Sequence, residues 1–295
     1  MGHQSLDRAY QLFILELRAQ NLSPRTIEQY EYMLPRFFKW LEPHGVFDVA
    51  GIKPIHIKMH LAELVERELS GYHIYNTYSS LRKFFNVLVA DEILEVNPVD
   101  KVKKPIVDAQ MKPAYTADEI KKLMAACCNN RDKTLIATLA GSGLRIAEAL
   151  ALDWSDISFS DNSIRVQKGK WRQSRKVYVS ARTMKHLLMW RIELDEPDLN
   201  SPVFTTLDGY DNRLSHSRLF KMMRWLCKRA KVERKGVHAF RRYYALESAK
   251  AGVPLPLLCR LMGIKNVGVL IAHYLPFIDD DVREAAGKVD PLRGI

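Results

Sequence analysis

Arg145, the pair His238-x-x-Arg241, and Tyr274 follow one another along this chain in an order that suits one chemistry. A phenol oxygen is a nucleophile, two guanidiniums are forked donors for the non-bridging oxygens of a phosphate, and an imidazole moves protons near neutral pH. Together they are the parts needed to open a phosphodiester without a metal. Singly they say much less. A tyrosine is ordinarily a core or interface residue, a His and an Arg three apart share a helix face for many reasons, and Arg145 can simply pair with Glu148 on a helix surface.

The surroundings of these residues add weight. Gly141-Ser142-Gly143-Leu144-Arg145 puts the first arginine just after two glycines at the start of a helix, where backbone amides and a guanidinium both favour an oxyanion. Leu150 and Leu152 of the same segment point to a core. Basic residues are concentrated in two runs. Arg165, Lys168, Lys170, Arg172, Arg175 and Lys176 form one without an acidic residue, and Lys221 to Arg242 forms another opposed only by Glu233. Either run alone is ordinarily a solvated face; flanking a candidate site, the two suit phosphate contacts.

Composition points the same way. Lys and Arg number 45 against 34 Asp and Glu, a formal charge of +11, which favours nucleic acid or an anionic membrane surface as partner. No run of about 18 apolar residues is present, and residues 1 to 10 have no apolar signal core, so the expectation is a soluble, cytoplasmic protein without a membrane partner. Cys127, Cys128, Cys227 and Cys259 have neither metal-clamp nor disulfide-ladder spacing and read as reduced core or helix residues. No metal site and no cofactor is expected.

Four helices precede a break. Leu6, Tyr10, Phe13, Ile14 and Leu17 recur at helical spacing; Ser23-Pro24 caps a second helix carrying Ile27, Tyr30, Leu34, Phe37, Phe38 and Leu41. A third is expected near Ile55 to Leu69 and a fourth near Tyr72 to Ala90, with Tyr75, Tyr78, Leu81, Phe84, Phe85 and Leu88 inward. Residues 97–113, with Pro98, Pro105, Pro113 and the lysines 101, 103, 104 and 112, read as a linker. Lys103 and Lys104 in it are candidate phosphate contacts, although a merely solvated linker fits the composition equally. Beyond it, Thr116 to Glu119 is a capping box, Thr134 to Ala140 a buried helix, and alternation from Ile157 to Val179 predicts a small antiparallel sheet with a turn at Asp161-Asn162. Helices return near Ala181 to Leu194, Ser215 to Ala230, Phe240 to Lys250 and Leu255 to Met262. The expectation is a mainly α protein with a small antiparallel β-sheet: a helical bundle at 1–96, the linker, and a mixed α+β domain at 114–295 with a C-terminal tail.

Gly143-Leu144-Arg145 followed by Glu148 and Leu150 closely resembles the first conserved box of the tyrosine recombinase family, which includes phage integrases and Xer-type recombinases. His238 and Arg241, then Leu261-Met262-Gly263 and Tyr274, resemble its second box in the correct order. The gap from Gly263 to Tyr274 is most similar to that of integrases from conjugative transposons. Leu22 to Tyr30 and the Asn97-Pro98 linker also resemble the family, so the likeness covers nearly the whole chain. It implies a SAM-like DNA-binding domain before a catalytic domain, and a reaction in which Tyr274 attacks a scissile phosphate, forms a 3′-phosphotyrosyl bond and frees a 5′-hydroxyl. Arg145 and Arg241 would bind the non-bridging oxygens, and His238 would assist proton transfer from a phenol, ordinarily a weak acid of pKa about 10. A hairpin lysine would protonate the leaving oxygen, with Lys168 fitting best and Lys170 the competitor. Arg165, Lys170, Arg172 and Arg175 are candidate DNA contacts. The resemblance further implies duplex recombination sites as substrate, a homo-tetramer on DNA, and accessory DNA-bending or directionality factors.

Two positions depart from the pattern. Ile264 stands where the family usually has His or Trp, and Leu270 stands where Thr is common. Isoleucine cannot donate a hydrogen bond to phosphate, a loss of order 1 to 3 kcal/mol in the transition state. A DNA-bridging relative with weakened cleavage is therefore the alternative to a strand-exchange enzyme. A basic RNA- or membrane-binding helical protein would leave the ordered Arg, Lys, His-x-x-Arg, Tyr series without a purpose.

Overall fold

The computed structural model describes residues 5–106, 113–167, 174–208 and 212–275. They fall into two compact units, Met1–Gln110 and Met111–Ile295. Each is held by a separate apolar core.

The first unit is a helical bundle of α1 (Leu6–Ala19), α2 (Pro24–Leu41), α3 (Pro54–Glu66) and α4 (Gly71–Ala90). Asn21 adopts φ +53 between α1 and α2, and the Ser23 hydroxyl accepts from the Thr26 amide with Pro24 at the first helical position. That combination of N-cap and pre-set φ starts α2 where the sequence predicts it. Phe13, Phe37, Phe84 and Phe85 are fully buried, and Phe13 meets Phe84 edge-to-face at 5.4 Å. Truncating any of them to alanine removes about 3 to 5 kcal/mol. Tyr75 differs from the expected inward stripe. It stays half-exposed with Lys104 Nζ 4.9 Å over its ring, while Ile74 and Thr77 face the core.

The segment read as a linker begins as packed structure. A 3₁₀ turn spans Pro98–Lys101, the Asn97 side chain caps it by accepting from the Val99 amide at 2.8 Å, and Val99 and Val102 enter the bundle core. Two valines one turn apart bury enough apolar surface to hold this stretch against α4. Lys103 remains exposed.

The second unit contains α5 (Ala117–Ala126), α6 (Asn130–Ser142), α7 (Ile146–Leu150), strands β1 (Ile157–Ser158), β2 (Ser163–Val166) and β3 (Arg175–Tyr178), then α8 (Ala181–Glu193), α9 (His216–Ala230), α10 (His238–Lys250), α11 (Leu255–Met262) and α12 (Val267–Tyr274). The fold is therefore mainly α with a small antiparallel sheet, as expected. The strands pair in sequence order, with Ile164 opposite Val177, Arg165 opposite Lys176 and Val166 opposite Arg175. Alternation sends Ile164, Val166 and Val177 into the core and Arg165 and Lys176 to the outer face. Trp190 is fully buried with its indole N–H donating to the Val203 carbonyl at 2.8 Å, which satisfies that buried donor.

Helix α12 is absent from the sequence reading. It starts where the Asn266 side chain accepts from the Val269 amide at 2.9 Å and ends on Tyr274 itself. Together α10, α11 and α12 enclose a separate small cluster of Ala245, Leu258, Cys259, Met262, Ile264, Leu270 and Leu275. Among the described residues no single helix is long and apolar enough to cross a membrane. Only α11 and α12 taken jointly pass, across an 81° bend.

Candidate active site

Three arginines converge on the C-terminal end of α11. The last carbonyls of a helix have no partner within it and carry the negative end of its dipole, so cationic donors are favoured there. Arg175 Nε donates to Leu261 O at 3.4 Å, Arg241 Nη2 to Met262 O at 2.7 Å, and Arg145 Nη2 to Gly263 O at 3.0 Å. Gly263 closes the helix in the left-handed region at φ +61. A Cβ there would lie 2.9 Å from Arg175 Cζ, so both conformation and space require glycine.

Arg145 reaches this point because α6 stops at Gly143. That residue is left-handed, φ +63, and the Tyr244 ring lies 2.4 Å from where its Cβ would be. Leu144 is buried, and Arg145 follows as the residue that caps α7, its amide donating to Glu148 Oε2 at 2.8 Å and its Nη1 to Oε1 at 2.9 Å. The pairing with Glu148 considered from the sequence is thus present. It leaves the Arg145 side chain 31% exposed, open to an anion from outside.

Arg241 is 1% exposed and is fixed by Gly143 O at 2.6 Å and Met262 O. Its Nε donates to the Tyr274 hydroxyl at 3.3 Å, with the guanidinium carbon 5.3 Å from the ring centroid. These acceptors are two carbonyls and a phenol, none of them a carboxylate, so the guanidinium is oriented without a carboxylate partner. Burial lowers the Arg241 pKa, the Tyr274 oxygen opposes that, and the nearby Arg145 charge adds to it. Arg241, with no carboxylate partner, and Arg145, which shares the single carboxylate of Glu148 with Arg175, are held close to each other and beside a phenol, a cluster preorganised for a bound oxyanion. Tyr274 is half-buried at the end of α12, packed on the α10 to α12 cluster. His238 is the exposed first residue of α10, one turn before Arg241.

Glu148 is the carboxylate that organises this cluster. Its side chain is 8% exposed, and both oxygens are taken twice, by Arg145 and by Arg175, whose Nη1 and Nη2 donate to Oε1 and Oε2 at 2.9 and 2.8 Å. Burial works to raise its pKa, but hydrogen bonds from Arg175 and from the Arg145 amide outweigh it and bring the value down to about 2. Arg175, read from the sequence as a DNA contact, therefore turns inward and is 16% exposed. Strand parity could have told this, since Arg175 shares a face with buried Val177.

Arg165, also read as a DNA contact, lies on the outer face with Nε 3.4 Å from Asp156 Oδ1 and Nη2 3.1 Å from Ser155 O, and stays 57% exposed. Asp156, which sequence reasoning missed, is 4% exposed and also accepts from Gln167 Nε2 at 2.7 Å, gripping the last described residue before the hairpin turn. Lys168, Lys170 and Arg172 lie outside the described residues, as does the C-terminal tail. Among the described residues no group of three or more His, Cys, Asp or Glu could hold a metal ion.

Comparison with known proteins bears on the family and the fold. Residues 114–276 match the family model described as "Phage integrase family", and residues 11–92 match "Phage integrase, N-terminal SAM-like domain". A tyrosine recombinase of Thermosipho africanus is 30% identical over 218 residues, covering 72% of this chain and 74% of the relative. The Tn1549 transposon integrase in complex with transposon right end DNA superposes with a TM-score of 0.78 at 18% identity, over 97% of this chain and 99% of that one. A lambda integrase dimer bound to a COC′ core site gives 0.73 at 15% identity, over 90% and 97%. The chain belongs to the phage integrase family of tyrosine recombinases.

Proposed function

We propose that this protein is a site-specific DNA recombinase that cleaves and rejoins duplex DNA through a covalent bond to Tyr274. The observation that carries the reading is the 3.3 Å contact from buried Arg241 to the Tyr274 hydroxyl, with Arg145 anchored on the adjacent carbonyl of the same helix end. A scissile phosphate beside the phenol would receive Arg145 and Arg241 on its non-bridging oxygens, which gain charge as the nucleophile arrives. The Tyr274 oxygen forms a bond to phosphorus while the bond from phosphorus to the 5′-oxygen breaks. His238 takes the phenolic proton, and a hairpin lysine, Lys168 or Lys170, gives one to the departing 5′-oxygen. Attack by a 5′-hydroxyl of another strand reverses the step, so bond energy is conserved and no cofactor is consumed. Oriented guanidiniums are the main catalytic contribution.

The family supports the partner as well as the reaction. The transposon and lambda integrases named above are bound to DNA in their structures. For this chain we infer duplex recombination sites as substrate, a first domain at 1–96 that grips DNA with the lysines of segment 97–113, a catalytic domain at 114–295, and a homo-tetramer working in the cytoplasm with accessory DNA-bending or directionality factors. Lys103, Lys104, Arg165, Lys170 and Arg172 remain the proposed phosphate contacts.

Ile264 favours a second reading, a sequence-specific DNA-bridging protein with weakened cleavage. Its side chain is packed at 9% exposure in the α10 to α12 cluster and offers no donor. Incubation with nicked suicide duplexes followed by denaturing electrophoresis separates the two. A covalent protein–DNA adduct on wild type supports the recombinase, and tight, site-specific binding with no adduct on any duplex supports the bridging protein.

A further inference from the structure

Three features of Arg175 go beyond the cleavage reading above and rest on it. Strand register puts its side chain on the core face, opposite Val166 and two residues from fully buried Val177. All three of its guanidinium nitrogens have protein acceptors, two on Glu148 and one on Leu261 O. Its guanidinium also lies against Gly263, whose carbonyl receives Arg145 Nη2. We propose that Arg175 is a positioning residue: it holds Glu148, and through Glu148 the Arg145 guanidinium, in register with the end of α11 that also anchors Arg241.

A planar fork is needed for this role. The two nitrogens meet the two carboxylate oxygens in parallel while the third donates to the Leu261 carbonyl at the end of α11, a pattern that the single ammonium of lysine cannot reproduce. Were Arg175 instead a phosphate contact, lysine would serve nearly as well, and alanine would weaken binding and lower the salt slope by about one.

The test compares wild type with Arg175→Lys, Arg175→Ala, Glu148→Gln and the double variant Arg175→Met/Glu148→Gln. Duplex affinity, its salt dependence, single-turnover adduct formation at saturating DNA and thermal melting are read for each. Arg175→Lys is expected to slow adduct formation about ten-fold or more while affinity stays within about two-fold and the salt slope is unchanged. Because Arg175 acts through Glu148, the double variant should be no slower than Glu148→Gln alone. The double variant leaves neither member of the Arg175–Glu148 pair as a buried charge orphaned by loss of the other, so it keeps the question open to measurement should Arg175→Lys fail to fold. Losses that multiply in the double variant overturn the proposal, and so does a salt slope that falls by about one in Arg175→Ala. An absence of adduct in wild type would defeat the recombinase reading instead. The brace is then decided by melting against pH. Among the described residues Arg145, Arg175 and Arg241 are the charges facing Glu148, and in Arg175→Lys the acid-side loss of stability from Glu148, which sets in below its ordinary value of 4.5 in both proteins, should level off at higher pH and be smaller in total than in wild type. An acid limb that does not move would overturn it.

Discussion

Arg241 and Tyr274 sit thirty-three residues apart, yet the buried guanidinium touches the phenol oxygen at 3.3 Å while its other nitrogens grip Gly143 O and Met262 O. The arginine is therefore immobile whether or not the phenol is present. Tyr274→Phe should abolish the covalent adduct, leave duplex affinity nearly unchanged, and cost about 1 kcal/mol in stability for one lost hydrogen bond. An adduct persisting in Tyr274→Phe would move the nucleophile to another residue, with Tyr243 and Tyr244 the first to examine. Arg241→Ala, by contrast, leaves two carbonyls and a phenol without a donor and should lose both cleavage and several kcal/mol of stability.

The first unit should be sensitive to mild acid because of His60. Its ring is 6% exposed between Phe37 and Trp40, each 5.1 Å away, and Nδ1 has no hydrogen-bond partner. Burial, chiefly, pushes its pKa down to about 4, against a partial opposing pull from Glu63. A folded pKa below the unfolded value of about 6.5 means the contribution is complete above pH 6.5 and is lost as pH falls towards 4, roughly 3 kcal/mol in all. His60→Leu should flatten the melting temperature of this unit between pH 6.5 and 4 relative to wild type. Parallel pH profiles for the two proteins would contradict the assignment.

How far the sequence could be read depended on the kind of signal. Periodicity and caps located α1 to α6 and α8 to α11 within a few residues, because Ser23-Pro24, Thr116 to Glu119 and Ser215 are local devices that act on their own helices. The resemblance to the recombinase boxes also singled out Arg145, Arg241 and Tyr274, which the fold brings together beside the end of α11. Contacts made across the fold were not readable. Neither the capture of Arg175 by Glu148 nor the gathering of three arginines on α11 follows from local pattern, since each depends on packing residues more than twenty positions apart. Charge density misled there. A basic run looks uniform in composition, but strand alternation divides it between the outer face, with Arg165 and Lys176, and the core face, with Arg175.

The hairpin lysine can be assigned by changing the leaving group. Lys168→Ala should cleave an ordinary phosphodiester at least about a hundred-fold more slowly than wild type, yet recover on a 5′-bridging phosphorothiolate, whose sulfur departs without a proton. Asp156 anchors Gln167 and Arg165 just before this turn, so the loss should reflect chemistry rather than a displaced strand. Recovery in Lys170→Ala, with Lys168→Ala unaffected on the ordinary substrate, would shift the acid two residues along the turn.

Ile264 decides how the departure from the family pattern is to be understood. Were the missing donor limiting, Ile264→His would speed cleavage about ten-fold by adding an interaction made mainly in the transition state. The geometry argues otherwise. Ile264 is 9% exposed and packs with Leu258, Met262 and Leu270, and its amide donates to Cys259 O at 2.9 Å just after the left-handed Gly263. A histidine there would place a polar ring among apolar side chains, at a cost of about 1 to 3 kcal/mol. Nor would the backbone turn it outward, because Gly263 is locked between Arg145 and Arg175. Ile264→His should therefore melt at lower temperature and cleave no faster than wild type. Single-turnover rates and melting curves measured on the same preparations check both halves, and a ten-fold gain in rate would show that the phosphate had lacked a donor after all.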